Sequence, residues 1–248
     1  MKHQYFGDVN DYRKYGLLRA LRAGGDLSLC VCWMLTENDG RGDGRKIGYL
    51  RQPERWRDFD PTLFDALARA VMQDEDRRVD RIESSGLLDG VVFHDEILAD
   101  DIAERRRSFE RAIHAARGCD LVFFDPDNGV EVASVPCGRR GSSKYLYWPE
   151  VAAAFEAGHS LLIYQHFARV RRDRYIRDLA MRIRSEVACA RVTSLATTHV
   201  LFVLIERPEH GEALRRAIER LRAGWPGQFR IGDHVAPMVT SAGCGAGS

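Results

Sequence analysis

Four apolar residues, Leu121-Val122-Phe123-Phe124, run straight into Asp125-Pro126-Asp127-Asn128-Gly129. An unbroken apolar run of this length reads as a strand buried on both faces. The acids fall where that strand ends. Proline stiffens the turn and removes an amide donor, while glycine permits a positive φ. Asp125, Asp127 and Asn128 would thus be held in fixed geometry at a sheet edge. Such groups orient an amino group, take up a proton or ligate a hard cation. The plainer reading is a turn in which Asp and Asn bond their own backbone.

Other apolar runs also end in polar groups. Ser160 to Tyr164 (SLLIY) is followed by Gln165 and His166, and the imidazole suits acid–base work or a satisfied internal hydrogen bond. Leu27 to Leu35 (LSLCVCWML) leads into TENDGRGDGRK, where Glu37 and Asp39 offer contacts to a ribose, a substrate or a cation, with a solvated turn as the competing reading. Val91 to His94 leads into Asp95. The segment 139–144 (RRGSSK), which includes Lys144, has the cations and hydroxyls to grip a phosphate, and a flexible surface loop is the competing reading. Arg169, Arg171, Arg172 and Arg174 follow His166 closely, interleaved with Phe167 and Tyr175. Clustered arginine with aromatics is a nucleic-acid footprint, and a solvated helix face is the competing reading.

The elements that must position these groups alternate. Helices are expected over 10–23, Pro61 to Met72, 99–117, Trp148 to Ala157, 169–186 and Glu209 to Ala223. Besides the apolar runs, strands are expected over Ile47 to Leu50, Arg191 to Ala196 and Val200 to Glu206. The last two are joined by only Thr197-Thr198-His199, which predicts an antiparallel pair. The pattern predicts an α/β fold: a doubly wound, mostly parallel Rossmann-like sheet closed by that pair. Residues 1–240 read as one domain and 241–248 as a flexible tail.

The 248 residues carry a net charge of +1, so a partner must be recognised by a local patch rather than the whole-molecule field. The six cysteines form no CxxC and read as reduced thiols. No signal peptide or bilayer-length apolar run is present, and a cytoplasmic protein without a membrane partner is expected.

The stretch Phe6-Gly7-Asp8-Val9-Asn10-Asp11-Tyr12-Arg13-Lys14-Tyr15-Gly16-Leu17-Leu18, together with LVFFDPDNG and the closing strand pair, resembles bacterial Rossmann-fold methyltransferases. It is similar in shape to the large-subunit ribosomal RNA adenine-N6 methyltransferases and the three-Cys-motif partner proteins. The set FFDPDNG, SSKY and IYQHF is itself similar to that of a family of bacterial proteins without an assigned activity. The resemblance implies S-adenosylmethionine as cofactor and RNA or DNA as substrate. It implies that Asp125 accepts a hydrogen bond from a target amino group and that Pro126 fixes the backbone. Glu37 to Gly44, including Asp39, Gly40 and Gly42, would surround the cofactor, with Asp95 near its adenosine. Two departures stand out: TENDGRGDG lacks the usual small-residue glycine pattern, and no aromatic follows Asp125-Pro126.

The same residues admit a different chemistry. An apolar strand ending in Asp-x-Asp also resembles the metal sites of topoisomerase-primase domains and haloacid-dehalogenase-like phosphatases. Mg²⁺ on Glu37, Asp39, Asp125 and Asp127 would activate water for a nuclease or phosphohydrolase, with His166 as acid or base and Lys144 on the anion. A third reading is a nucleic-acid-binding protein without catalysis.

Overall fold

The computed structural model describes residues 1–25, 27–40, 44–73, 77–189 and 191–235. The proposed cofactor residue Gly42 and the expected tail 241–248 lie outside them. No helix among the described residues is long and apolar enough to cross a membrane.

The apolar runs form the centre of one sheet. Strands β1 (Leu29–Cys32), β2 (Val92–His94) and β3 (Leu121–Phe124) are joined by β6 (Ser160–His166), β7 (Arg191–Ala196), β8 (Val200–Glu206) and β9 (Arg230–Val235). Two short strands, β4 (Gly129–Val130) and β5 (Tyr145–Leu146), pair separately. The main order is β2-β1-β3-β6-β8-β7-β9. Strands β2, β1, β3 and β6 are mutually parallel, whereas β8 runs antiparallel between β6 and β7. The expected ends of β1, β3 and β6 are therefore neighbours.

Side chains alternate across the sheet as the two-residue period demands. Val31, Phe123 and Leu162 face one core, which also takes in helix α1 (Val9–Gly25), α3 (Pro61–Ala68) and α8 (Gly211–Gly224). Cys30, Val122 and Ile163 face the other, against α5 (Ile102–Ala115), α6 (Trp148–Glu156) and α7 (Arg172–Glu186). Covered on both faces, the central strands need no polar side, which is why they read as continuous apolar runs. Cys30, Cys32 and Cys119 are buried free thiols. Asp60 caps α3 by accepting from the Leu63 amide, and Asp101 caps α5 through Ala103 and Glu104.

Three differences from the sequence reading are local. Ile47 to Leu50 is not a strand: Gly48–Arg51 form a 3₁₀ turn that buries the adjacent Tyr49 and Leu50. Pro53 then opens the short helix α2 (Pro53–Trp56), and α4 (Asp80–Glu83) is equally brief. The edge strand β9 escaped notice because its side chains are exposed or half-buried and carry no apolar alternation.

Candidate functional site

A cavity of about 360 Å³ opens above the carboxyl ends of β3 and β6. Its walls come from the start of α1 (Asp8, Asn10, Asp11, Lys14), the loop after β3 (Asp125 to Asn128), the end of β6 (Tyr164, His166), and Met1, Tyr5, Gly44 and Lys46. Ligands in open α/β sheets bind at this end of the strands.

The floor is an ion triad. Lys14 Nζ donates to Asp11 Oδ1 and to Asp125 Oδ2, both at 2.7 Å. All three side chains are buried, Asp125 to 2% exposure. Burial works against the Lys14 ammonium, but the two carboxylates outweigh it and its pKa is raised. Burial pushes Asp11 up to about 6 despite Lys14, and the nearby Asp125 and Asp8 charges add to the rise. Asp11 also accepts from the Gly7 amide and the Tyr15 hydroxyl.

Asp127 sits one step along the rim. Its carboxylate accepts from Thr36 Oγ1 at 2.6 Å and lies 2.8 Å from the Met1 ammonium. Burial opposes its ionised form, but the ammonium, Thr36 and Lys2 win and its pKa is lowered. The Met1 nitrogen also donates to the carbonyls of Met34 and Asp125, tying the ends of β1 and β3 together. Met34 carries a φ of 48°, a strained value for a non-glycine residue and one that marks the same strand end.

Gly129 adopts a φ of 92°, and a Cβ there would fall 2.2 Å from Gln165 Oε1. That oxygen accepts from the Val130 amide, while Gln165 Nε2 donates to the His166 carbonyl and to Tyr175 Oη. Gln165 therefore clamps the acidic loop to the end of β6. His166 is exposed at the cavity mouth, edge-on to the Tyr164 ring. The chain packed around it still depresses its imidazole pKa below 6.5, against the opposing pull of Asp125 and the Asp127 backbone.

The structure thus brings Asp125, Pro126, Asp127, Asn128 and His166 onto one cavity. Other expected site residues lie elsewhere. Glu37 and Asp95 are exposed and do not line it. Asp39 is held by Lys2 Nζ at 2.6 Å, and a Cβ at Gly40 would meet open space, so that glycine makes no cradle. Lys144 contributes its carbonyl, which accepts from the Asn128 amide, rather than its ammonium. Nor is the segment around it a phosphate cradle: Asp100 already accepts from the amides of Gly141 and Ser143.

The four acids of the magnesium reading do not converge. Asp39, Asp125 and Asp127 each face a cation of the chain, and Glu37 stands apart. Among the described residues no three His, Cys, Asp or Glu side chains share ligand geometry. Of the arginines, Arg169 and Arg171 are exposed just before α7, Arg172 stacks over Phe167, and Arg174 pairs with Asp178.

The site is ligand-sized. Four carboxylates line it beside the Tyr164 ring, together with Lys14, Lys46 and Met1, and its volume falls within the range of about 300–1,000 Å³ usual for ligand pockets. The residues that sequence reasoning missed are Asp8, Asp11 and Lys14. The available signal was a helix start whose charges sit among Tyr12, Tyr15, Leu17 and Leu18, leaving no polar face.

No family model matches the chain, and no curated protein matches it. Among solved structures it is similar to protein LPL1258 from Legionella pneumophila strain Philadelphia 1, described by the family label DUF519. The two share 12% identity over 94% of this chain and 98% of that one, with a TM-score of 0.42. At that score the fold rests on the strand order and register of this chain itself.

Proposed function

We propose that the protein is an S-adenosylmethionine-dependent methyltransferase-type enzyme acting on an amino group carried by nucleic acid. The observation that supports this reading is the reversed strand β8 set between β6 and β7, in a sheet whose central strand delivers Asp125-Pro126 to the cavity. Fold alone never assigns a reaction, so the chemistry is argued from the site.

When bound, S-adenosylmethionine supplies a methyl carbon already activated by its sulfonium. The chain has to orient the acceptor, exclude water and remove one proton. Asp125 accepts from the acceptor's amino group, and Lys14, bonded to Asp125 Oδ2, fixes that carboxylate in place. His166, with its pKa depressed, is neutral at pH 7 and takes the proton that leaves nitrogen as the new N–C bond forms. Pro126 and the Gln165 clamp keep the loop from relaxing away.

Isothermal calorimetry with S-adenosylmethionine tests the reading directly. Binding that survives Asp125→Asn, with methyl transfer to nucleic acid lost, is the expected result. Absence of binding at high micromolar cofactor would overturn it.

A further inference from the structure

Lys46 and His166 line the cavity, and two further segments lie next to His166. In the β6–β8 ladder His166 pairs with Val200, so the turn Thr197 to His199 lies alongside His166. Arg172, the first residue of α7, reaches back to that turn: its Nη2 donates to the Thr198 carbonyl at 2.7 Å. The same guanidinium lies 4.8 Å from the Phe167 ring centroid. On another side Lys46 lines the cavity, anchored by its backbone, whose amide donates to Asp8 Oδ2 and whose carbonyl accepts from Val9.

Lys46, Arg172 and His199 are all exposed. Among the described residues Lys46 and Arg172 make no ion pair with a carboxylate. Arg174, Arg182 and Arg230 nearby are neutralised by Asp178, Glu186 and Asp173. Lys46 and Arg172 thus keep their charge available beside the cavity. His199 feels both Lys46 and Arg172, which, after burial, help lower its pKa, so the three groups share one field.

We propose that Lys46, His199 and Arg172 form a rim that grips the phosphates of a single-stranded nucleic acid while one base enters the cavity. This rests on the methyltransferase reading and specifies its substrate. Single-strandedness follows from depth. Asp125 is 2% exposed at the cavity floor, out of reach of a base still stacked in a duplex. The Arg172 guanidinium, itself stacked over Phe167, offers a flat face on which a neighbouring base stacks without regard to sequence.

The test uses the full chain without cofactor and labelled RNA and DNA single strands of about a dozen nucleotides. Binding is measured between about 50 mM and about 200 mM salt. The triple variant Lys46→Glu/His199→Glu/Arg172→Glu should bind at least about tenfold more weakly. Its log–log salt slope should become shallower by about 0.7 for each phosphate that the rim no longer neutralises. Arg107→Glu on α5, away from the mouth, should bind as the parent does, and matching thermal melts establish that the triple variant is folded. Equal affinity of the triple variant and the parent would overturn the rim, as would a duplex bound as tightly as a single strand. The two proposals separate cleanly. Strand binding without cofactor binding removes methyl transfer and keeps the rim; cofactor binding without strand binding does the reverse.

Discussion

Lys14 Nζ and Asp125 Oδ2 meet at 2.7 Å across 111 residues of sequence. The contact joins the first helix to the end of the central strand, beneath the cavity. A lysine so placed neutralises two buried acids at once, Asp11 and Asp125. Lys14→Met should therefore cost about 3–5 kcal/mol, because it strands two like charges away from water. Adding Asp11→Asn and Asp125→Asn to that variant should recover most of the loss, since the buried charges are then gone. Denaturant melts of the single and triple variants measure the difference, and a triple variant no more stable than Lys14→Met would contradict the argument.

Much of this arrangement was legible in the sequence, for a physical reason. LVFF and SLLIY are buried on both faces, so their apolar character is uninterrupted and the polar residues that end them stand out. Lys14 was not legible as a site residue. Asp11 and Lys14 stand on a helix start with no polar face, which marks them as buried, but their third partner, Asp125, is supplied by the tertiary fold. Glu37 and Lys144 misled for the opposite reason: reactive residue types occur in any polar loop, and their side chains were committed to no shared cavity.

Gly129 offers a sharper probe of the loop. Alanine there must adopt a φ of 92° and press its methyl against the Gln165 amide. We expect Gly129→Ala to destabilise by more than about 1 kcal/mol and to depress activity by moving the acidic loop relative to His166. Gln165→Ala in the same chain removes the clash, so the two changes together should cost less than the sum of each alone. A thermodynamic cycle on the four proteins reads that coupling, and strict additivity would show that the clamp does not act on the loop.

The elevated Asp11 pKa sets a pH dependence with a definite sign. Its folded value, about 6, lies above the ordinary 3.8 because of burial. A raised carboxyl pKa gives stability that is fully present below the unfolded value and is lost as pH climbs through the folded one. Relative to Asp11→Asn, the parent should therefore lose stability between about pH 4 and pH 6, by at most about 3 kcal/mol. Urea midpoints of both proteins across that range decide it, and a parent that gains on the variant as pH rises would reverse the assignment.

Packing of the first helix against the last makes a prediction far from the cavity. A Cβ on Gly16 would lie 2.0 Å from Trp225 Cζ2, and the Trp225 ring is itself packed on Tyr12 and Phe59. The indole must shift against these rings to admit the methyl, so Gly16→Ala should destabilise by roughly 1–3 kcal/mol through overpacking, although alanine is the better helix former. Thermal melts that show the variant equal to or more stable than the parent would mean that α1 and α8 are less closely packed.

His166 provides the most direct electrostatic readout of the cavity. Its imidazole is depressed below 6.5 by the protein packed about it, and the Asp125 carboxylate partly offsets that effect. Removing the charge with Asp125→Asn leaves the depressing influence and takes away the offset, so the His166 midpoint should fall further. The proton NMR titration of the His166 ring in the two proteins reports the shift without any need for substrate. If Asp125 also orients the acceptor, the acidic limb of the parent's pH–rate profile should follow the His166 midpoint, because protonation removes the base. Stability follows the same sign: a lowered histidine pKa means that the unfolded chain binds the proton first as pH falls below 6.5, so acid destabilises the fold through this residue. A midpoint that rises in Asp125→Asn would show that the imidazole senses some other charge and would separate His166 from the ion triad.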